Sequence, residues 1–491
     1  MARALLRIDP ADDVAVALRD IAVGETVDDL TALDAIPKGH KIALRDLPTG
    51  QAVRKYGHPI GKATTAIAAG SHVHSHNLAT ALGGEEGYAA PATFPAPVTA
   101  TPAPGFMGYR RTDGRVGTRN EIWILCTVGC VAHTVRRIAE AANRQFAGRV
   151  EGVHAFTHPF GCSQLGDDLG HTRKLLGALA SHPNAGGVLI VGLGCESNQL
   201  DALLAAAPGI DPSRLRSFTA QGEEDEIEAG LAAVEALVEI AERDSRVPCP
   251  VSDLVIGLKC GGSDGFSGLT ANPLVGRIAD KVSDGGGTSI LTEIPEVFGA
   301  ERLLMARATS PAVFEATVSL VNGFKRYFID HGEPVSENPS PGNIAGGVTT
   351  LEEKSLGAVQ KAGHAPLAQV LAYGERTHGP GLALLEAPGN DAVSSTALAA
   401  AGATVILFTT GRGTPLGFPA PTLKIATNSD LAARKPRWID FDAGVVLEDR
   451  TMDQAADDLM ALVLATASGQ PTRAEQNGER EMAIWKTGVT L

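Results

Sequence analysis

The sequence predicts an α/β protein in which a small N-terminal β-rich module precedes two α/β domains with mainly parallel sheets. Three observations carry that prediction: apolar strand-like runs alternate with amphipathic helical segments, glycine reaches 56 residues, and the chain runs to 491 residues. Alternating strand and helix build parallel sheets, because a parallel pair needs a crossover long enough to hold a helix. Single hydrophobic cores stop growing beyond roughly 250–300 residues, so several domains are required.

Within 1–81, Asp13-Val14-Ala15-Val16-Ala17-Leu18 and Lys41-Ile42-Ala43-Leu44 are β-type runs separated by Gly and Pro turns. Residues 82–105 begin Leu82-Gly83-Gly84-Glu85-Glu86-Gly87 and continue in Ala, Pro and Thr, which predicts an extended interdomain linker. The second domain, 106–249, offers a strand at Glu121-Ile122-Trp123-Ile124-Leu125 and a helix over 134–144. A buried strand over 187–194 runs into a glycine turn, and covering helices follow near 199–206 and 223–243. The C-terminal domain, 250–491, opens on the strand-like 252–258, continues through helices over 300–308 and 312–331, and returns to a strand over 402–408. Its final helical stretch is Met452–Ala467.

Hydrophobic residues make up 44% and charged residues 20%, which suits packed globular structure. A formal charge of −14 opposes a nucleic-acid or anionic-membrane surface, since phosphate binding needs a basic footprint. No apolar run is long enough for a membrane span or a signal-peptide core, so a cytoplasmic protein with a small-molecule partner is expected, homo-oligomeric assembly staying open. Six cysteines, at 126, 130, 162, 195, 249 and 260, are too few and too scattered for a disulfide framework. Cys126 and Cys249 read as small buried hydrophobes.

The other four, Cys130, Cys162, Cys195 and Cys260, sit in loop-like phrases at the ends of strand candidates. Ligand crevices in open α/β sheets lie at the carboxyl ends of strands, so these thiols are placed to converge. Metal or iron–sulfur ligation, pocket lining and plain burial all remain open for them. In His72-Val73-His74-Ser75-His76-Asn77, strand alternation would put three imidazoles on one face. Such a face suits ferrous, manganous or zinc ions, and a solvated strand end is the simpler alternative. His40 and Lys41 follow a Gly turn. Loops over 260–265, 337–343, 387–391 and 409–415 combine Gly, Ser and Asn, as a polyhydroxylated acid requires. Their glycines can aim backbone N–H groups at an anion, and Arg412 offers a carboxylate fork. No phosphate-cradling P-loop occurs, and Gly192-Leu193-Gly194 lacks the rest of a dinucleotide fingerprint.

These phrases carry a resemblance. His40-Lys41, the His-Val-His-Ser-His-Asn run, Phe-Gly-Cys-Ser-Gln-Leu-Gly-Asp-Asp (160–168), Gly-Leu-Gly-Cys-Glu (192–196), Cys-Gly-Gly-Ser-Asp (260–264), Glu-Asn-Pro-Ser-Pro-Gly-Asn (337–343) and Thr-Gly-Arg-Gly-Thr-Pro (410–415) stand in the order of the altronate/galactarate dehydratase family. The chain resembles that family over essentially its whole length. One departure is Asp12-Asp13-Val14, where the family has Asp-Asn-Val.

The resemblance implies an N-terminal SAF-type module, a second domain and a C-terminal catalytic domain. It implies a hydro-lyase that dehydrates a sugar acid, D-altronate to 2-keto-3-deoxy-D-gluconate plus water in hexuronate catabolism, with Fe2+ or Mn2+ as divalent metal. The His-x-His-x-His phrase favours the altronate branch. Galactarate dehydration, sulfolactate lysis and carbohydrate binding without turnover are the rival readings. Metal is expected on His74 and His76 with His40 or His72, or alternatively on Cys130, Cys162, Cys195 and Cys260, where an iron–sulfur cluster is the further option. Lys41 or Lys354 is the expected base, Asp264 a further catalytic candidate, and Ser263, Asn338, Ser340, Asn343, Arg412 and Thr414 the expected substrate contacts.

Overall fold

The computed structural model describes residues 3–96, 98–207 and 209–491. The N-terminal module contains a four-stranded antiparallel sheet in the order Leu5–Leu6, Val14–Ala17, Lys41–Ala43, His72–Val73. Against it stands a three-stranded sheet of Ala52–Lys55, His58–Ala63 and Leu78–Ala79. The predicted β-runs are present as Val14–Ala17 and Lys41–Ala43, the first shortened at both ends and the second only at its last residue.

The linker has no helix or strand among its described residues, yet it is held down. Tyr88 donates its hydroxyl proton to Glu301 at 2.6 Å, Arg302 pairs with Glu86 at 3.0 Å, and Asn322 donates to the Glu86 carbonyl at 2.9 Å. Arg326 pairs with Glu85. The few charged and aromatic side chains in this Ala/Pro stretch thus fasten it to the helices Glu301–Met305 and Pro311–Asp330.

In the second domain a parallel sheet runs in the order Val153–Phe156, Glu121–Cys126, Ala185–Gly192, Leu215–Thr219. Strand alternation sorts its side chains. Ile122, Ile124 and Cys126 pack with Val135 and Ile138 of the helix Ala132–Gln145 and Leu237 of the helix Glu226–Ala241. Trp123 and Leu125 face Leu175, Leu176 and Leu179 of the helix Gly166–Ala180. A separate antiparallel sheet of Val116–Gly117, Phe106–Arg110 and Val247–Cys249 carries the chain into the third domain.

The C-terminal domain is built on a seven-stranded parallel sheet ordered Leu367–Leu371, Gly381–Leu385, Thr288–Leu291, Val255–Cys260, Val405–Thr410, Thr422–Ala426, Phe441–Asp442. Its first strand lies in the middle. From there the chain builds outward through Thr288–Leu291 and then returns to the other flank with Val405–Thr410, so the switch in strand order falls beside Val255–Cys260. The helix Met452–Ala467 has the bounds its pattern predicts, started by a Thr451/Gln454 capping box. The helix expected over 300–308 is only Glu301–Met305, since Ser310 and Pro311 cap and open the next one. Among the described residues no helix is long and apolar enough to cross a membrane.

A buried ion cluster docks the module onto this domain. Glu353, on the helix Leu351–Ala358, meets Lys41 and Lys55, each at 2.8 Å. Lys41 also donates to the Gly347 carbonyl and the Thr349 hydroxyl, both at 2.7 Å. Burial favours the neutral acid, but the two ammonium groups overcome it and hold the Glu353 carboxyl down to about 2. Backbone meets backbone nearby, where a Cβ on Gly265 would lie 1.9 Å from the Gly39 carbonyl oxygen and one on Gly347 would lie 2.4 Å from it. Glu353→Gln leaves two buried lysines short of their counter-charge and should destabilise the protein by about 3–5 kcal/mol in denaturant unfolding. A loss below about 1 kcal/mol would mean that packing alone docks the module. Because the folded-state pKa lies below the unfolded value of about 4.3, this contribution is present at neutral pH and lost as pH falls toward about 2. The wild-type and Glu353→Gln stabilities should therefore approach each other in acid.

Candidate active site

Strand ends at the carboxyl edge of the seven-stranded sheet deliver the charged groups. Val255–Cys260 ends on Lys259 and Cys260, the segment after Thr288–Leu291 supplies Glu293 and Glu296, and Asp391 follows Gly381–Leu385. Lys259 is fully buried and donates to Glu293, to Asp391 at 2.7 Å and to the Cys260 carbonyl at 2.7 Å. Lys361 stands 2.8 Å from both the Cys260 sulfur and a Glu293 carboxylate oxygen. Glu293 has a φ of 69°, the left-handed region that a residue with a Cβ seldom adopts. Its carboxylate fastens it there by accepting from both lysines and from the Cys260 N–H at 3.1 Å. Burial pushes the Cys260 thiol up to about 12, and it stays protonated.

Glu296 completes the group. It accepts from Lys354 at 2.8 Å and lies 3.4 Å from the Cys260 sulfur. Burial opposes its ionisation, yet the ammonium groups of Lys354, Lys259 and Lys361 hold its carboxyl below the ordinary range. Lys354 also donates to the side-chain oxygens of Asn338 at 2.9 Å and Asn343 at 3.2 Å. Together Glu296, Lys354, Cys260, Asn338 and Asn343 line a cavity of about 820 Å³, closed on its apolar side by Tyr327, Phe328 and Trp485.

Of the residues singled out in the sequence, Lys354, Asn338, Ser340, Asn343 and Cys260 share this cavity. Ser340 and Asn343 also form the capping box of the helix Pro341–Ala345, which makes one wall. Ser263 lies behind it, its carbonyl accepting from Asn343 at 2.8 Å. Arg412 is exposed and lies outside the cavity lining, on a neighbouring recess. It donates to the Gly342 carbonyl at 3.3 Å and lies against Gly262 of the wall, where a Cβ would be 3.5 Å from its own. Asp264 is elsewhere, under a neighbouring recess of about 330 Å³ that Arg412 shares. There it accepts from Ser267, Thr427 and Asn428, tying two loops together. Thr414 accepts from the Leu416 N–H at 3.3 Å and steadies its own turn. Lys41 is not among the cavity residues, being sealed against Glu353 with its protons engaged.

His40, His72, His74 and His76 come together, with ring centroids 5.0 to 5.6 Å apart in the contacting pairs. The expected flat strand face is absent. Strand pairing stops after His72–Val73, where Asn77 donates to the His72 carbonyl and accepts from the His74 N–H, both at 2.9 Å, and curls the chain. His40 Nδ1 lies 3.1 Å from His72 Nε2. His74 Nε2 faces the Ile344 carbonyl at 3.0 Å and His40 Nε2 the Ala345 carbonyl at 3.4 Å, both on the cavity-wall helix. A carbonyl partner places the ring proton on Nε2 of both rings, and their Nδ1 atoms then face His72 Nε2, from His40, and the Ser75 hydroxyl at 3.0 Å, from His74. Burial, reinforced by the neighbouring rings, lowers His72 to about 4, and burial also lowers His40 and His74. Neutral imidazoles are the form in which histidine binds a divalent cation, and among the described residues no three of these rings bring ligand nitrogens within 4.8 Å of one another.

Among the described residues only Cys260, Glu293 and Glu296 present three ligand atoms within 4.8 Å of one another. Their charge is already met, because Lys259, Lys354 and Lys361 stand against Glu293, Glu296 and Asp391. Cys126 and Cys249 are buried as expected, whereas Cys130, Cys162 and Cys195 are exposed on the second domain. Sequence reasoning passed over Lys259, Glu293, Glu296 and Lys361. A lysine at the end of an apolar strand was one signal of the network, and the Glu-Ile-Pro-Glu phrase over 293–296 was another.

Three family models match in succession. The altronate/galactarate dehydratase SAF domain covers 3–81, the D-galactarate dehydratase/altronate hydrolase second domain covers 108–242, and the D-galactarate/altronate dehydratase C-terminal model covers 251–490. Altronate dehydratase of Escherichia coli (strain K12) is 49% identical over 99% of both chains. Altronate dehydratase of Bacillus subtilis (strain 168) is 46% identical over 100% of both. Galactarate dehydratase (L-threo-forming) of Escherichia coli (strain K12) is 34% identical over 95% of this chain and 93% of its own. Matched along its whole length, from the docked module to the charged edge of the last sheet, the chain belongs to the altronate/galactarate dehydratase family of hydro-lyases.

Proposed function

We propose that the protein dehydrates D-altronate to 2-keto-3-deoxy-D-gluconate and that the Lys354–Glu296 pair moves the protons. The observation that carries this reading is the pair itself, a carboxylate and an ammonium 2.8 Å apart on the wall of a cavity of about 820 Å³. That volume lies within the range of small-molecule sites. Identity of 49% and 46% to two altronate dehydratases, against 34% to a galactarate dehydratase, supports the altronate substrate.

Dehydration requires loss of the C2 proton and of the C3 hydroxyl. Glu296, kept ionised by the surrounding lysines, accepts the C2 proton on a carboxylate oxygen. Lys354 gives a proton from Nζ to the departing C3 hydroxyl, which leaves as water. The C2–C3 enol then tautomerises to the keto acid. Asn338 and Asn343 hold Lys354 in place, and positioned acid–base groups of this kind contribute roughly 10²–10⁴-fold each. Arg412, behind Gly262 of the cavity wall, would clamp the substrate carboxylate through its planar fork, which a lysine does not reproduce. His40, His72, His74 and His76 would hold Fe2+ or Mn2+, which as a Lewis acid stabilises negative charge developing on a hydroxy acid.

Glu296→Gln and Lys354→Met should each lower kcat for altronate by about 10²-fold or more while the protein stays folded. Wild-type kcat in either would remove the pair from the chemistry. Arg412→Lys should keep its thermal stability and lose about 1–3 kcal/mol of transition-state binding, seen in kcat/KM. Unchanged efficiency would leave Arg412 as a loop brace. Exhaustive chelation should abolish turnover and readdition of Fe2+ or Mn2+ restore it, with His74→Ala and His76→Ala lowering metal content by elemental analysis. Full activity of the chelated enzyme, or unaltered metal in both variants, would refute the histidine site.

A further inference from the structure

We propose that Cys130, Cys162 and Cys195 bind an iron–sulfur cluster of the four-iron class through three thiolates, leaving one iron without a protein sulfur. The three residues follow three adjacent parallel strands, Glu121–Cys126, Val153–Phe156 and Ala185–Gly192. Leu125 pairs with Phe156 and Cys126 with Val191, so the three loops leave the sheet at one level.

The loops are bound to one another. Gly129 N–H donates to the Phe160 carbonyl at 2.8 Å and Asn198 N–H to the Gly161 carbonyl at 3.0 Å, while the Asn198 side chain donates to the Thr127 carbonyl at 2.9 Å. Glycines beside two of the thiols allow this approach, since a Cβ on Gly161 would lie 2.1 Å from the Thr127 carbonyl oxygen and one on Gly129 2.9 Å from Pro159 Cα. Ser163, next to Cys162, takes a φ of 58°, and Gly194, next to Cys195, a φ of 131°. Strained backbone thus presents thiols that do no packing. All three are exposed and free of disulfides. Cys162 has Ser163 Oγ at 3.7 Å and Cys195 has Gln221 Nε2 at 3.6 Å, both weak sulfur contacts.

The helices Ala132–Gln145 and Gly166–Ala180 start just after Cys130 and Cys162 without side-chain caps, so their first N–H groups favour negative charge at these loops. The nearby Glu196 carboxylate is taken up by the N–H groups of Leu193 and Gly194 at 3.0 and 2.6 Å and by the Thr127 hydroxyl. Around a single tetrahedral ion, with metal–sulfur bonds of about 2.3 Å, thiolates lie about 3.8 Å apart. Among the described residues the three sulfurs form no group within 4.8 Å, which does not match a single-ion site, whereas in a cluster each thiolate binds its own iron. Cys260 belongs to the other sheet and to Lys361, so the fourth iron is open to an oxygen ligand such as water or a hydroxy acid.

The test is made on the full chain, reconstituted without oxygen using ferrous iron and sulfide and read by iron and acid-labile sulfide content and by visible absorption. About four irons and four sulfides per chain are expected. Cys130→Ser, Cys162→Ser and Cys195→Ser should each lose most of both, whereas Cys249→Ser should retain them. Wild-type protein that takes up iron without sulfide, or only zinc, overturns the proposal irrespective of how the variants fold. So does a cluster retained in all three serine variants. These readouts are independent of turnover, so the altronate assignment can fail while the cluster stands.

Discussion

Glu353, shared between Lys41 and Lys55, is the interaction on which the remaining architecture depends. Its helix neighbours explain why. Consecutive helical residues point about 100° apart, so Glu352, Glu353 and Lys354 reach in three directions. Glu352 accepts from the Ala81 N–H and Thr80 at the end of the N-terminal module, Glu353 takes the two module lysines, and Lys354 crosses to Glu296 in the cavity. One short helix therefore fastens the module and positions a lysine on the cavity wall. Buried ion pairs of this kind contribute little net stability after desolvation, and their value lies in fixing one arrangement among many.

The cavity's charges obey the same economy of position. Three lysines and three carboxylates cluster with a neutral thiol, so the site carries strong local fields without a net excess of charge. Glu296 stays ionised in a buried place because cations surround it, and Cys260 stays protonated because burial outweighs the lysines nearby. Groups of opposite tendency a few ångströms apart are what proton transfer requires.

Much of this was legible in the chain. Strand and helix alternation gave the parallel sheets, and the Gly/Ser/Asn loops came to the carboxyl edge where open α/β sheets bind ligands. Asn338 and Asn343 stand in a loop whose polar chemistry is visible locally, and the cavity gathers them with Lys354 of the helix Leu351–Ala358. Glu293 and Glu296 escaped notice because nothing local marks a carboxylate that will be matched by lysines at 259 and 361, far away in the sequence. Lys41 misled for the same reason, since its partner lies at 353. The histidine phrase promised a strand face and delivered a curl, because Asn77 bonds back to His72 and His74. The Ala/Pro linker looked loose because composition reports average packing and misses a few well-placed partners such as Tyr88 and Glu301.

Gly39, Gly265 and Gly347 meet at distances that admit no side chain, one residue before His40 on the module side. Together with the ions at Glu353, that backbone contact seats the module directly on the catalytic-domain backbone. The irregular 333–340 segment borders the cavity from outside the sheet and apart from this seam, so a change in its sequence can reshape the cavity wall without touching the glycines that seat the module.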